Sequence, residues 1–201
     1  MRQFGGPLDG EKASLEVVPT RFWGSCSMGS RPQGEQALMS GGAPQLVLCW
    51  PGRTTAEYAR IGVTEYLGRI RRFRTCECFV VPEEPAGKKY SQAHRIEREG
   101  KSILKRLATL ESTFLVVVDP AGKHLDSAGF ARLLERQCYD SARTLTFVVG
   151  GPDGVSPIVK DQADMLLGLS RMTLPHDMAR LLLVEQLYRG FTIIRGLSYD
   201  R

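Results

Sequence analysis

The chain has 201 residues, with 27 Lys and Arg against 22 Asp and Glu, giving a formal charge of +5 and a pI near 9.1. At 42% apolar and 24% charged residues it suits a soluble globular protein and excludes a wholly disordered or fibrous one. The longest apolar runs, such as Phe114 to Val118, are strand-sized and far short of the roughly 20 residues of a membrane helix. No secretory signal is visible at the amino terminus, so the cytoplasm is the default location.

Residues 1–45 carry four basic and four acidic side chains, eight of the 21 glycines and four of the 11 prolines, with no sustained apolar period. They read as a flexible leader. Met28 and Met39 lie inside this stretch, and Met39 stands just before the first strand-like run, so a misplaced start codon is the alternative reading. From Leu46 onward, β-prone apolar runs alternate with helical periods. The expected strands are Leu46 to Trp50, Cys76 to Val81, Thr113 to Val118, Thr144 to Val149 and Leu166 to Leu169. Between them the spacing predicts helices over Thr54 to Arg72, Ser91 to Leu110, Ser127 to Tyr139 and Ser156 to Asp164, with a last helix from Asp177 to about Ile194. This alternation implies an α/β domain over 46–201, with a mostly parallel sheet, helices on both faces and a site beyond the carboxyl ends of the strands. The last helix is apolar on more than one face, so it is either sandwiched inside the domain or covered by another subunit.

The charge is uneven. Residues 46–110 hold 13 basic and seven acidic side chains, whereas 111–201 hold ten basic and eleven acidic, so the excess belongs to the middle of the chain. Arg69, Arg71, Arg72 and Arg74 cluster at the end of the first helix, and Lys88, Lys89, Arg95, Arg98, Lys101, Lys105 and Arg106 line the second. That pattern suits a polyanion or a solvated helix face. The five cysteines are odd in number, scattered and without a C-x-x-C pair, so they read as reduced, mostly buried thiols. Cys76 and Cys78, two apart on a strand, share a face. His94, His124 and His176 lack metal-ligand spacing, so no metal site is expected.

Three strand ends carry polar chemistry. Asp119-Pro120-Ala121-Gly122-Lys123 lacks the Ser or Thr that completes a phosphate loop, because His124 follows the lysine. Gly150-Gly151-Pro152-Asp153-Gly154 allows a ligand to approach backbone without a Cβ in the way, or serves as a tight turn into a helix with Ser156 at its N-cap and Pro157 at its first position. Leu169-Ser170-Arg171-Met172-Thr173-Leu174 could offer backbone groups to an adenine edge while Leu169, Met172 and Leu174 pack its faces, or simply connect strand to helix.

Taken together, Gly150-Gly151-Pro152-Asp153-Gly154, Leu169 to His176, Val184-Glu185-Gln186-Leu187-Tyr188-Arg189 and Arg195-Gly196-Leu197-Ser198-Tyr199 resemble the RlmH family. These are SPOUT-class methyltransferases acting on a pseudouridine of bacterial large-subunit ribosomal RNA. The resemblance runs from about Leu46 to Arg201 and leaves the first 45 residues unmatched. It implies a SPOUT-type α/β fold with a carboxyl-terminal trefoil knot, a homodimer, and ribosomal RNA of the large subunit or assembled ribosome as partner. The implied cofactor is S-adenosyl-L-methionine, held by Val118, Gly150, Leu169, Ser170, Arg171, Met172, Thr173 and Leu174, and the implied product is N3-methylpseudouridine. Candidate catalytic groups are His176, Arg180, Tyr199 and Asp200. The family usually ends in Tyr-His and a basic residue, whereas this chain reads Tyr199-Asp200-Arg201. That departure keeps two alternatives open: a knotted ribosome- or RNA-binding protein without transfer activity, and a transfer-RNA methyltransferase of the same fold.

Overall fold

The computed structural model describes residues 46–85, 87 and 90–200. The leader expected over 1–45, Cys26, Lys88, Lys89 and Arg201 lie outside the described residues. Ten elements alternate strictly: β1 (Leu46–Pro51), α1 (Glu57–Ile70), β2 (Cys76–Val81), α2 (Gln92–Leu107), β3 (Thr113–His124), α3 (Ser127–Tyr139), β4 (Thr144–Val148), α4 (Pro157–Lys160), β5 (Met165–Gly168) and α5 (His176–Ile194). All pairings are parallel, in the order β2-β1-β4-β3-β5.

Side chains that alternate along each strand divide the core in two. Leu46, Leu48, Trp50, Leu145 and Phe147 face α1, α3 and α5, while Cys49, Val148, Leu115 and Val117 face α2 and α4. The two connections that move toward β2 use the first face and the two that move toward β5 use the second. All four crossovers therefore share one hand, as the twist of a parallel sheet requires. Cys76 and Cys78 do lie on one face. Burial pushes the thiols of Cys49 and Cys76 up to about 12 and that of Cys138 to about 11, so the described cysteines are protonated and inert at neutral pH.

Helix α5 is sandwiched. It packs between α1 and α3 over the sheet, with Leu183, Val184, Leu187 and Phe191 fully buried. Close approach depends on glycines: a Cβ on Gly62 of α1 would stand 2.5 Å from Leu181 Cδ1, and one on Gly190 would stand 2.5 Å from Leu134 Cδ1.

Several element boundaries shift by a few residues from expectation, and three of the shifts have a visible cause. Helix α1 starts at Glu57 rather than Thr54, because Asp177 holds the backbone of Thr55 and Ala56 outside the helix. Helix α4 ends at Lys160 rather than Asp164; the Asp164 carboxylate accepts from the Leu115 N–H at 2.8 Å, and this pins the turn into β5. Strand β3 continues past Val118 to His124: Val118 and Lys123 both stand opposite Leu167, with the intervening residues looping out. Gly122 makes this return, since a Cβ there would lie 2.6 Å from the Leu166 carbonyl carbon and the Leu167 nitrogen.

Candidate active site

The residues expected to bind the cofactor gather at the carboxyl edge of β3, β4 and β5, as a parallel sheet dictates. Half-buried Val118 ends the first run of β3, and buried Gly150 follows β4. Leu169, Ser170 and Leu174 are half-buried after β5, while Arg171, Met172 and Thr173 are exposed. Met172 is 75% exposed, unusual for a large apolar side chain, whereas Val118, Leu169 and Leu174 pack on the core. Ser170 Oγ accepts from the Met172 N–H at 2.9 Å and shapes the loop.

The glycine turn is closed on itself. The Gly154 N–H donates to the Gly151 carbonyl at 3.0 Å, and Gly154 has φ +91°, a conformation that favours glycine. A Cβ on Gly150 would sit 2.6 Å from the Gly154 carbonyl carbon. Ser156 stands at the N-cap of α4 and Pro157 at its start, as expected, but the Ser156 side chain makes no capping hydrogen bond and is buried against Gly100.

At the mouth of α5, His176 is about a quarter exposed, and its Nε2 lies 3.4 Å from Asp177 Oδ1. Arg180, one turn on, is fully buried. Its Nη2 donates to the Pro51 carbonyl at 2.5 Å, its Nη1 to Asp177 Oδ1 at 3.1 Å and to Thr54 Oγ1 at 3.4 Å, and its guanidinium lies over Trp50. Arg180 thus ties the end of β1 to the start of α5, with no side-chain surface open to a substrate.

Tyr199 is not at that mouth. Its hydroxyl lies 3.0 Å from that of Tyr66 and donates to Glu185 Oε1 at 3.2 Å, its ring meets Tyr188 edge-on, and Arg189 covers its other side. Burial, then the Tyr66 and Glu185 partners, raise its pKa, so it is a protonated donor. Asp200 closes the short 3-10 turn Ser198–Asp200. Helix α5 runs from His176 to Ile194, and the tail folds back along it to Glu185, nine residues and about 14 Å of helix from His176.

Three residues that sequence motifs did not single out belong to the site. Asp177, 5% exposed, accepts from the N–H groups of Thr55 and Ala56 and from the Thr55 hydroxyl. Trp50 underlies Arg180. Glu99 of α2 is 4% exposed beside Gly151. Its signal was legible: Ile96, Glu99, Ile103 and Leu107 recur at helical spacing, which puts a carboxylate on an apolar stripe. By contrast, a cleft lined by Phe114, Arg136, Gln137 and Asp140 to Arg143 lies at the opposite, amino-terminal edge of β3 and β4.

A parallel sheet with a glycine turn and an apolar loop at its carboxyl edge is the arrangement of an enzyme that binds a nucleotide-like cofactor. The chain belongs to the SPOUT methyltransferase family: a family model described as "Predicted SPOUT methyltransferase" matches residues 45–200. It is 38% identical over 157 residues to a protein of Syntrophobacter fumaroxidans, covering 78% of this chain and 99% of that one. It is 39% identical over 155 residues to one of Syntrophotalea carbinolica (77% and 97%) and 37% identical over 153 residues to one of Streptococcus pneumoniae (75% and 95%). Each of these relatives is named ribosomal RNA large subunit methyltransferase H.

Proposed function

We propose that the protein is an S-adenosylmethionine-dependent methyltransferase that acts on N3 of a pseudouridine in 23S ribosomal RNA, within the large subunit or the assembled ribosome. The observation that carries this reading is the convergence of the Gly150 turn and the Leu169 to Leu174 loop at one sheet edge, in a chain that spans nearly the whole length of its large-subunit RNA methyltransferase relatives. Val118, Gly150, Leu169, Ser170, Arg171, Met172, Thr173 and Leu174 would hold the cofactor. The fit rests on the exposed apolar Met172 beside half-buried Leu169 and Leu174, next to backbone from which a Cβ is excluded at Gly150.

The bound cofactor supplies an electrophilic methyl group on a sulfonium. What remains for the chain is to align the acceptor nitrogen and to receive its proton. His176, partly exposed at the edge of that loop, is placed to accept a proton, with the Asp177 carboxylate beside its Nε2. Arg180 serves by position: it fixes Asp177 and the Pro51 carbonyl, and through them the start of α5. The exposed cations of α2 are the groups that would meet RNA phosphates.

The protein acts as a homodimer in this reading. Tyr58 and Ile61 on α1 and Met178 on α5 leave apolar surface exposed, at 53%, 53% and 37%. A second copy would cover it and is also what would bring Tyr199 and Asp200 to a His176 mouth. The carboxyl-terminal knot of the family is supported by the Asp119–Gly122 loop pressed against β5. Residues 1–44 precede the matched region, and in this reading the leader over 1–45 is dispensable and the protein works in the cytoplasm, where ribosomes are.

The test is transfer of label from radioactive S-adenosylmethionine to ribosomes lacking the modification, with 46–201 assayed beside the full chain. Label at N3 of a large-subunit pseudouridine is expected from both. Absence of label, with a relative active in parallel, rejects the reading; label in transfer RNA instead would favour a transfer-RNA enzyme of the same fold.

A further inference from the structure

Glu99 is the most deeply buried charged residue of α2, on a stripe that is otherwise apolar. Ile96, Ile103 and Leu107 on the same stripe are apolar, and the last two fill the core beneath the sheet. A carboxyl group enclosed at 4% exposure is kept against its solvation, so its contacts indicate what it does.

One carboxylate oxygen, Oε1, accepts from the Glu84 N–H at 3.0 Å, in the segment that follows β2. The other, Oε2, has no hydrogen-bond partner among the described residues and points at the glycine turn. A Cβ built on Gly151 would stand 3.1 Å from that oxygen and 3.1 Å from Pro51 Cγ. The Gly151 backbone is thus wedged between Glu99 and the end of β1. Neighbouring residues of α2 grip the rest of the turn: Arg95 Nε donates to Asp153 Oδ2 at 2.8 Å, and a Cβ on Gly100 would lie 2.5 Å from Ser156 Cβ. Arg95 and Glu99 lie one turn apart on one face of α2 and Gly100 follows Glu99, so a single rigid element holds both ends and the middle of the segment 151–156. Burial raises the pKa of Glu99, and the carboxylates of Glu83, Asp153 and Glu84 add to this while the Glu84 N–H opposes it. A neutral carboxyl in this place keeps its Glu84 hydrogen bond and its volume.

We infer that Glu99 is a positioning residue for the cofactor: it sets the backbone of the Gly150–Gly151 turn from behind, and so controls affinity for S-adenosylmethionine without touching the reacting atoms. This rests on the reading of Gly150 as part of the cofactor pocket. The strand order reverses between β1 and β4, where ligands of such sheets bind, and Glu99 sits under that crevice.

The experiment compares full-length wild type with Glu99→Ala and Glu99→Gln. It measures the Kd for S-adenosylmethionine and S-adenosylhomocysteine by calorimetry, kcat and cofactor KM on unmodified ribosomes, and melting temperature. Glu99→Ala is expected to raise Kd and KM about tenfold with kcat within about twofold, and Glu99→Gln to restore both to within about threefold, because its carbonyl still accepts from Glu84. Unchanged Kd and KM in Glu99→Ala, whatever its melting temperature, overturn the inference, as does an equal loss in both variants. If Glu99→Ala does not fold, Asp153→Asn, which weakens the Arg95 clamp on the same turn, must raise KM with kcat retained, and failure to do so is equally decisive. A wild-type chain that binds neither compound overturns the cofactor reading itself, whereas normal wild-type binding with an indifferent Glu99 overturns this inference alone.

Discussion

Asp177, in the first turn of α5, caps α1: its Oδ2 accepts from the Ala56 N–H at 2.9 Å and the Thr55 N–H at 3.0 Å, across 121 and 122 residues of sequence. Helix α1 has no capping side chain of its own. The same carboxylate faces Arg180 through Oδ1, so one buried group closes a helix start and neutralises a buried guanidinium. Asp177→Ala leaves two amide donors and a cation without their partner and should cost about 3 kcal/mol, read as a shift in denaturant midpoint. Asp177→Asn keeps one carbonyl acceptor and should cost less.

The same residue gives an acid limb. Burial alone would raise the pKa of Asp177, but the N–H groups of Ala56 and Thr55, with His176 and the Thr55 hydroxyl, outweigh it and hold the value below the ordinary range. A folded pKa below the unfolded one means the stabilisation is complete above the unfolded value, about 3.9, and is lost as pH falls through the folded one. Unfolding free energy should therefore drop below about pH 4 in the wild type, and drop less steeply in Asp177→Asn.

The strands were legible because each is a short β-prone run whose alternate residues both find a core, as Leu48 and Cys49 do on opposite faces of β1. The start of α1 and the end of α4 moved for one kind of reason, a carboxylate binding backbone from another part of the chain. Thr54 and Thr55 have the right chemistry to begin a helix, but Asp177 captures the backbone of Thr55 and Ala56 from far along the chain, and Asp164 ends α4 by binding β3. The loops that carry the residue motifs do fall at the carboxyl edge of the sheet, since loops after parallel strands must lie there. Motif spacing could not show that Arg180 is enclosed or that Tyr199 packs on Tyr66, Glu185 and Tyr188 rather than beside His176; those facts depend on packing. Glu99 illustrates the reverse, a signal present in the helical period whose meaning required its neighbours.

Two glycines should respond in opposite directions. At Gly122 a Cβ would meet the backbone of Leu166 and Leu167 at 2.6 to 2.7 Å, and backbone paired in a sheet cannot yield as a side chain can. Gly122→Ala should lose about 3 kcal/mol or more. On Gly68, exposed in α1, a Cβ would meet nothing within 4 Å, so Gly68→Ala should gain about 0.5 to 1 kcal/mol from reduced unfolded-chain entropy. Urea midpoints at unchanged slope test both.

Part of the basic excess is internally neutralised: Arg69 pairs with Glu65, Arg98 with Glu84 at 3.0 Å, and Lys101 with Glu97 at 2.6 Å. Lys105, exposed in the last turn of α2, has no such pair among the described residues and is the better phosphate ligand. Lys105→Ala should weaken RNA binding uniformly across sequences and lower the slope of log affinity against log salt by about 1. Arg132→Ala, an exposed cation of α3 on the other face of the sheet, should leave that slope unchanged.

The chain ends Tyr199-Asp200-Arg201 where the family it resembles usually places histidine after the tyrosine. Tyr199 is held by Tyr66 and Glu185, so the residue that follows it leaves a fixed point. An anion there repels RNA phosphate, and a carboxylate of ordinary pKa is a weaker proton acceptor at neutral pH than imidazole. Asp200→His should raise kcat/KM on unmodified ribosomes by about tenfold while leaving cofactor Kd within about twofold, because the change concerns the acceptor's proton and not the residues read as holding the cofactor. Cofactor calorimetry and label transfer measured on the same preparations separate the two effects. An inert natural chain made active by this single change would instead show that the protein binds ribosomal RNA without transferring methyl groups.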